Sequence, residues 1–389
     1  MATSSSQRLG QPAAGTFAGP TEPPYLPVLT GVRAVAAYLV YLHHFNPFRQ
    51  VAGLEGRGWE MVREFHVGVP IFFVLSGFLI AFRYAEAGPW TRAWWGRYLR
   101  NRVARIYPLY FLLTALTFAG LWYQTRVFSL KIWLLNVTFL RGFFEEYVYS
   151  GLSQGWTLTV EECFYLAAPL MFGALRRRPG QVWRLPGLLL AGGVALVGLG
   201  RLLAFHGLFG NLKFMLLFTF FGRATEFFVG IGLARWLQRH PPTLGPVGWR
   251  TVTGAFGMAA VVVVLARLRG PYAYGQEHPV GIVLNNVVLP VGIALWFTGL
   301  LTERTLLRQV LSSRPLQVLG KSSYAFYLIH AGIVQEFVAR LLPGQPLLVF
   351  LVLLGIAIGL HYALEEPLNR WLRAARRLPA AEAPRPPRT

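Results

Sequence analysis

Long apolar segments with few charges recur along the whole chain, and they limit the folds that it can adopt. Ten of them are close to the length of about 20 residues that a helix needs to cross a bilayer. These segments are 27–45, 66–85, 104–124, 157–175, 187–207, 214–234, 251–267, 279–301, 322–341 and 345–364. Apolar residues make up 54% of the sequence and charged residues only 14%. The pattern predicts an all-α polytopic membrane protein, a bundle of about ten transmembrane helices.

An eleventh apolar stretch, Leu130 to Leu140, is too short to cross the bilayer and contains Lys131. We expect it to be re-entrant or interfacial. With a cytoplasmic N-terminus, 24 of the 37 Lys and Arg residues lie on the cytoplasmic side, which agrees with the positive-inside rule. Counting residues 130–140 as a span would move the arginine triplet 176–178 outside, against that rule. Both termini are therefore predicted to be cytoplasmic.

The chain is predicted to consist of one membrane domain and two tails. Residues 1–24 and the basic tail 376–389 are expected to be disordered, and residues 25–375 to form the membrane domain. No stretch in the first tail is apolar enough for a cleaved signal peptide. The net charge of +21 comes mostly from arginines beside the apolar spans, which favours contact with membrane lipids over nucleic acid. With Cys163 as the only cysteine, an internal disulfide and a thiolate metal cluster are excluded, and no metal site is predicted.

Two ionisable residues in the first span suggest chemistry within the membrane. Arg33 and His44 are eleven residues apart, which on an α-helix is three turns plus about 20°, so they share a face about 16 Å apart. Imidazole, with an ordinary pKa of about 6.5, can take a proton from a reacting hydroxyl and return it to a leaving group. The alternative is an interfacial histidine at a helix end. His43 points about 100° away and is predicted to be structural.

Arg102 and Arg105 lie one turn apart at the cytoplasmic edge of the third span. Their guanidinium groups would form a phosphate clamp, because each offers a planar fork of donors. The alternative is that they only follow the positive-inside rule. Spacing alone does not choose between these two interpretations.

The fourth span carries paired polar residues near its start. Glu161 and Tyr165 are one turn apart and could share a proton or orient an imidazole. Thr159 and Glu162 fit a capping box, which would make Glu162 structural.

The ninth span carries a polar stripe of Ser323, Tyr327 and His330. This stripe either packs between helices or lines a substrate-binding site. In the second span, Ser76 precedes Gly77 and resembles a nucleophile followed by glycine, but in membrane helices this pair is more typical of a close-packing surface.

Five strings of sequence, followed by a short acidic motif, occur in a characteristic order and spacing. They are LTGVRAVAAYLVYLHHF (29–45), VGVPIFFVLSGFLI (67–80), RVARIYPLYF (102–111), GWTLTVEECFY (155–165) and SSYAFYLIH (322–330), then EEP (365–367). Together they resemble the acyltransferase 3 family of integral-membrane O-acyltransferases, which modify lipopolysaccharide, peptidoglycan, other glycans and macrolides. The resemblance covers roughly residues 25–375.

The resemblance implies a role for each matching residue. His44, Arg33 and Glu161 would be catalytic, with His44 as general base, and Arg102 and Arg105 would hold an acyl-CoA donor. The residues implied to contact the acceptor are Trp156, Tyr165, Tyr327 and His330. Where the family usually has an acidic residue this chain has Thr30, so the partner of Arg33 is open, with Glu161 and Glu162 as candidates.

By this resemblance the chain is expected to be a multi-pass enzyme of the cell membrane, the cytoplasmic membrane if it is bacterial. It would move an acyl group, most commonly acetyl, from cytoplasmic acyl-CoA to a hydroxyl of an extracytoplasmic carbohydrate or small-molecule acceptor. One alternative is a transporter or flippase, which should show paired halves with broken helices, and the sequence has no convincing internal repeat. Another is an acyltransferase with a lipid or protein acceptor.

Overall fold

The computed structural model describes residues 25–47, 57–85, 91–204, 207–240, 244–246 and 248–374. The two tails predicted to be disordered, 1–24 and 376–389, lie outside these ranges. Within them the chain is helical, with isolated β-bridges in place of strands. The predicted all-α class is therefore confirmed.

The first half of the chain forms nine helices within the described ranges. They are α1 (Pro27–His44), α2 (Arg57–Arg63), α3 (Gly68–Tyr84), α4 (Arg92–Thr125), α5 (Leu130–Val137), α6 (Trp156–Arg177), α7 (Arg184–Leu202), α8 (Leu212–Phe218) and α9 (Phe220–Arg239).

The described second half forms nine more, and two π-helical turns join α11 to α12 and α17 to α18. The helices are α10 (Trp249–Leu268), α11 (Pro279–Val283), α12 (Leu289–Thr302), α13 (Leu306–Leu311), α14 (Arg314–Lys321), α15 (Ser323–Ile329), α16 (Ile333–Leu341), α17 (Pro346–Leu360) and α18 (Glu366–Ala374). The π turns are Leu284–Val288 and His361–Glu365.

Eight helical stretches of the described chain are long and apolar enough to cross a membrane. They are Gly58–Tyr84, Arg92–Thr125, Ser153–Arg177, Gly180–Leu202, Leu212–Arg239, Trp249–Leu268, Pro279–Thr302 and Pro346–Arg373. These stretches coincide with the second to eighth and the tenth predicted spans, so the protein is polytopic. The first predicted span forms α1, whose mean hydropathy is lowered by one arginine and two histidines. The ninth is divided between α15 and α16. The total of ten crossings and the cytoplasmic termini stay predictions.

The eleventh apolar stretch forms the short helix α5, followed by a 3₁₀ turn at Leu140–Phe143. Eight helical residues extend about 12 Å, less than half of a bilayer core. Its length thus agrees with the predicted re-entrant or interfacial segment.

Helices α3 and α9 pack closely at the centre of the bundle. Gly77 of α3 faces the carbonyl of Phe227, and Gly230 of α9 faces the carbonyl of Val74. A Cβ atom at either glycine would overlap the opposite backbone. Small residues at such crossings let membrane helices approach each other closely.

A similar contact holds α1 against α14, because Gly320 lies on the carbonyl of Thr30. In α9, Arg223 and Glu226 form a buried ion pair, with Nη2 of Arg223 2.9 Å from Oε1 of Glu226. The arginine also donates to Oδ1 of Asn286, 3.4 Å away in the first π turn.

The capping-box interpretation of Glu162 is wrong. Helix α6 begins at Trp156, so Thr159 and Glu162 lie inside it and not at its start. The Thr159 hydroxyl donates instead to the carbonyl of Phe139, 2.6 Å away.

Candidate active site

A partly open cavity of about 760 Å³ lies between α1, α3, α4, α6, α14, α15 and α18. It brings together six of the nine predicted site residues. Those that line it are Arg33, Arg102, Arg105, Glu161, Tyr165 and Tyr327. The three that do not line it are His44, Trp156 and His330.

Glu161 of α6 is the acceptor for two hydroxyl groups in this cavity. The hydroxyl of Ser76 in α3 donates to Oε1 of Glu161, and that of Tyr165 donates to the same oxygen at 2.7 Å. The close-packing interpretation of the Ser76-Gly77 pair applies only to Gly77, because Ser76 faces the cavity. Ser76 therefore lines the site, although the sequence favoured a packing role for it.

The partner of Arg33 is a hydroxyl group. Its Nε donates to Oγ of Ser323 at 3.3 Å, and Ser323 in turn donates to the carbonyl of Gly320 at 2.8 Å. Neither Glu161 nor Glu162 pairs with it, and no carboxylate of the described chain forms an ion pair with Arg33. Its charge faces the cavity without a counter-ion from these ranges.

Arg102 is buried at the wall of the cavity between two aromatic rings. Its guanidinium carbon lies 5.7 Å from the ring centre of Tyr84 and 5.5 Å from that of Tyr165. Such contacts favour a cation without neutralising it. Its Nε has no hydrogen-bond partner among the described residues.

Cations outnumber acids around this cavity. The cations are Arg33, Arg83, Arg102, Arg105, Lys321, Arg370 and Arg373, and the acids are Glu161, Glu365 and Glu366. Glu366 pairs with Arg370, and Glu365 pairs with His361 at 2.9 Å. The other six cations have no ion-pair partner in the described part of the chain. In a cavity enclosed by apolar helices, uncompensated charge of this size favours a multivalent anion.

His44 lies at the other end of α1, outside the cavity. It is exposed, and its Nδ1–H donates to the carbonyl of Val40 at 2.9 Å, which leaves Nε2 as an acceptor. Its ring centre is 5.1 Å from that of the buried His330. The ring of His330 lies 5.4 Å from Tyr327, a residue that lines the cavity. His330 and Tyr327 thus connect His44 with the cavity.

The Nε2 atom of His330 is buried without a hydrogen-bond partner in the described chain. Its Nδ1–H donates to the carbonyl of Tyr327 at 2.7 Å, so this unpartnered Nε2 is an acceptor. Trp156, the remaining predicted residue, packs edge-on against Phe218 at 4.8 Å between ring centres.

Gln154, just before α6, is a residue that the sequence did not indicate. Its Nε2 donates to the carbonyls of Leu328 and Ala331, at 2.6 Å and 3.4 Å, on either side of His330. The hydroxyls of Thr157 and Tyr327 lie 2.8 Å apart beside it. Among the residues that the structure describes, no three His, Cys, Asp or Glu side chains are arranged to hold a metal ion.

Sequence comparison assigns the family. Residues 27–366 match the acyltransferase domain of the acyltransferase 3 family. The chain belongs to this family. It is therefore a multi-pass membrane O-acyltransferase, as the five strings predicted.

Several relatives share most of the chain. It is 26% identical to acyltransferase MdmB of Streptomyces mycarofaciens, over 93% of this chain and 95% of the relative. It is 30% identical to the exopolysaccharide production protein ExoZ of Rhizobium meliloti, over 79% and 91%. Identity to the O-acetyltransferase OatA of Staphylococcus aureus is 23% over 85% of this chain, which spans about half (54%) of that relative. No solved structure matches the chain.

Proposed function

We propose that the acyl donor of this O-acyltransferase is acyl-CoA, with its phosphates held in the cavity by Arg102, Arg105 and their neighbours. The observation that carries the proposal is the set of six lining cations without an ion-pair partner in the described chain. The diphosphate and 3′-phosphate of CoA supply several negative charges on one ligand. Guanidinium groups bind such oxygens through paired hydrogen bonds.

His44 is proposed as the general base. Since its Nδ1–H is donated to Val40, its Nε2 can accept the proton of an acceptor hydroxyl. The hydroxyl oxygen then bonds to the thioester carbonyl carbon, the carbon–sulfur bond breaks, and the thiolate takes the proton from His44. For this the pantetheine arm must extend from the cavity past Tyr327 and His330 towards His44.

The donor is proposed to enter from the cytoplasm and the acceptor from the opposite side. The lining arginines other than Arg33 belong to segments that the positive-inside rule assigns to the cytoplasmic side, and His44 is at the far end of α1. We propose acetyl as the acyl group and a carbohydrate hydroxyl as the acceptor, since one relative is named an O-acetyltransferase and another for exopolysaccharide production. A panel of glycan, lipid and peptide acceptors distinguishes this from the alternatives.

Binding of radiolabelled acetyl-CoA to the purified protein in nanodiscs tests the donor site. Arg102→Gln should weaken binding by about tenfold or more, because a charge-assisted contact to phosphate is lost. The matched control is Arg201→Gln, since Arg201 is exposed on α7 and does not line the cavity. Equal binding by the wild type and Arg102→Gln would contradict the proposed site.

A second measurement tests the base. His44→Ala should bind acetyl-CoA normally and yet transfer no acetyl group to any acceptor of the panel, because the proton acceptor is missing. Transfer at the wild-type rate by a folded His44→Ala protein would exclude His44 as the base.

A further inference from the structure

A buried carboxylate lies behind the exposed histidine. Glu64 belongs to the 3₁₀ turn Glu64–Val67, which leads into α3, and its side chain has 0% exposure. Its Oε2 is 2.9 Å from Nε2 of His66, and its Oε1 accepts the backbone N–H of Gly275 at 2.9 Å. A buried charge needs such partners, and here both oxygens have one.

Ring contacts continue from this pair to His44. The ring centre of His66 is 5.5 Å from that of His43, and His43 is 4.9 Å from His44, both in edge-to-face geometry. The Nδ1–H of His43 donates to the carbonyl of Arg63 at 2.5 Å, which fixes the tautomer of that ring. The line of imidazoles therefore runs unbroken from a buried carboxylate to the exposed histidine, and on to His330.

Other charged and titratable groups face this line from α2 and the loop after α10. The ring of Tyr274 is 5.0 Å from that of His43, and the guanidinium of Arg63 is 5.5 Å from the Tyr274 ring. An ion pair between Glu60 and Arg269, 3.7 Å apart, joins α2 to the end of α10. Among the carboxylates that the structure describes, Glu64 is the one that pairs with a histidine of this line.

We propose that Glu64, His66 and His43 are positioning residues that support His44 as a base, an inference that rests on the proposed function. When the acceptor hydroxyl gives its proton to Nε2 of His44, positive charge develops on that ring. A negative charge behind the line stabilises the imidazolium through space, since the Nδ1–H of His44 itself donates to the carbonyl of Val40. Once the carbon–sulfur bond breaks, the thiolate takes the proton and His44 becomes neutral again.

Glu64→Gln tests this support, because it keeps the size of the side chain and an oxygen for Gly275 but removes the charge. Diethyl pyrocarbonate modifies only unprotonated imidazole, and His44 is exposed to it. Modification of His44, followed by peptide mass spectrometry across pH, therefore reports its protonation without any substrate. We expect the midpoint to fall by about 0.5 pH unit or more in Glu64→Gln, since losing a nearby negative charge disfavours the imidazolium. The acid limb of the kcat profile should move with it.

The control is Glu146→Gln, an exposed carboxylate in the loop between α5 and α6, which should leave the midpoint unchanged. If Glu64→Gln does not fold, Glu64→Met removes the same charge with a side chain of similar length and is judged by the same shift. Coincident modification curves for wild type and the folded variant would overturn the inference, whether or not acyl transfer is detected. If the modification curves differ but the wild type transfers no acetyl group from acetyl-CoA, the proposed function is rejected. The effect of Glu64 on the protonation of His44 would still stand.

Discussion

Glu161 is the residue around which the polar groups of the cavity are arranged. Ser76 and Tyr165 both donate to one of its oxygens, and the guanidinium of Arg102 lies on the ring of Tyr165. A carboxylate, two hydroxyls and a cation thus form one connected group on three helices. The hydrogen bonds of such a group hold each member in place.

Glu161→Gln should lower kcat for acyl transfer by about 10- to 100-fold, because the amide removes the charge and competes with the two donors. Tyr165→Phe removes only one donor and should have a smaller effect. Initial rates with acetyl-CoA measure both. Glu336→Gln, on the exposed face of α16, is the control. Wild-type kcat in Glu161→Gln would show that this carboxylate has no part in the reaction.

Residue spacing predicted contacts along one helix better than contacts between helices. The eleven-residue interval in α1 indicated a shared face, and both residues do contact the same segment, Arg33 at Ser323 and His44 at His330. Ser76 was misjudged because its acceptor lies 85 positions further along the chain. A local pattern carries no information about such a distant partner.

Among the helices, the division between α15 and α16 has the clearest consequence for the site. Helix α15 ends at Ile329 and α16 begins at Ile333, with Gly332 at a φ of 88°. A break inside a membrane protein leaves backbone carbonyls without helical partners, and other groups must satisfy them. Gln154 does so for two of them. Hydropathy did not predict this break, because the apolar segment 322–341 continues across it.

Gln154→Ala should lower the stability by about 1–3 kcal/mol, the range for a buried group left without its hydrogen bond. It should also lower kcat, because His330 lies between the two carbonyls that Gln154 binds. Thermal unfolding in detergent and initial rates measure the two effects. The matched control, Gln238→Ala, removes a half-buried amide that donates to the carbonyl of Phe82 and should leave kcat unchanged. Full activity in Gln154→Ala would argue against a role for the break.

Helix α10 gives a pH-dependent contribution to stability. Glu303, directly after α12, accepts the backbone N–H groups of Arg250 and Thr251, at 2.9 Å and 3.0 Å, and the Thr251 hydroxyl at 2.7 Å. Burial tends to raise the pKa of Glu303, but these donors outweigh it and hold the pKa below its ordinary value.

Because the folded pKa of Glu303 is the lower one, its stabilisation is present above the unfolded value of about 4.3 and is lost as the pH falls through the folded value. Acidification from about pH 6 to about pH 3 should therefore lower the Tm of the wild type more than that of Glu303→Gln. Thermal unfolding across this range is the measurement. Parallel decreases in the two proteins would contradict this role of Glu303.

For the whole molecule, hydropathy predicted where the membrane helices lie along the chain but not which helices pack against each other. Eight predicted spans reappear because a bilayer fixes the length and polarity of each crossing, whatever packs beside it. The pairing of α3 with α9 depends instead on shape, such as the fit of Gly77 on the backbone of Phe227. Such complementarity joins residues far apart in sequence.

The two ends of α1 face different surroundings, and this has a kinetic consequence. Tyr25 to Arg33 border the arginine-rich cavity, whereas His44 is exposed at the far end. Under the proposed function each substrate has an entrance of its own, so neither has to leave before the other arrives. Free CoA should then compete with acetyl-CoA for the cavity and inhibit noncompetitively with respect to the acceptor. The two substrates should bind in random order.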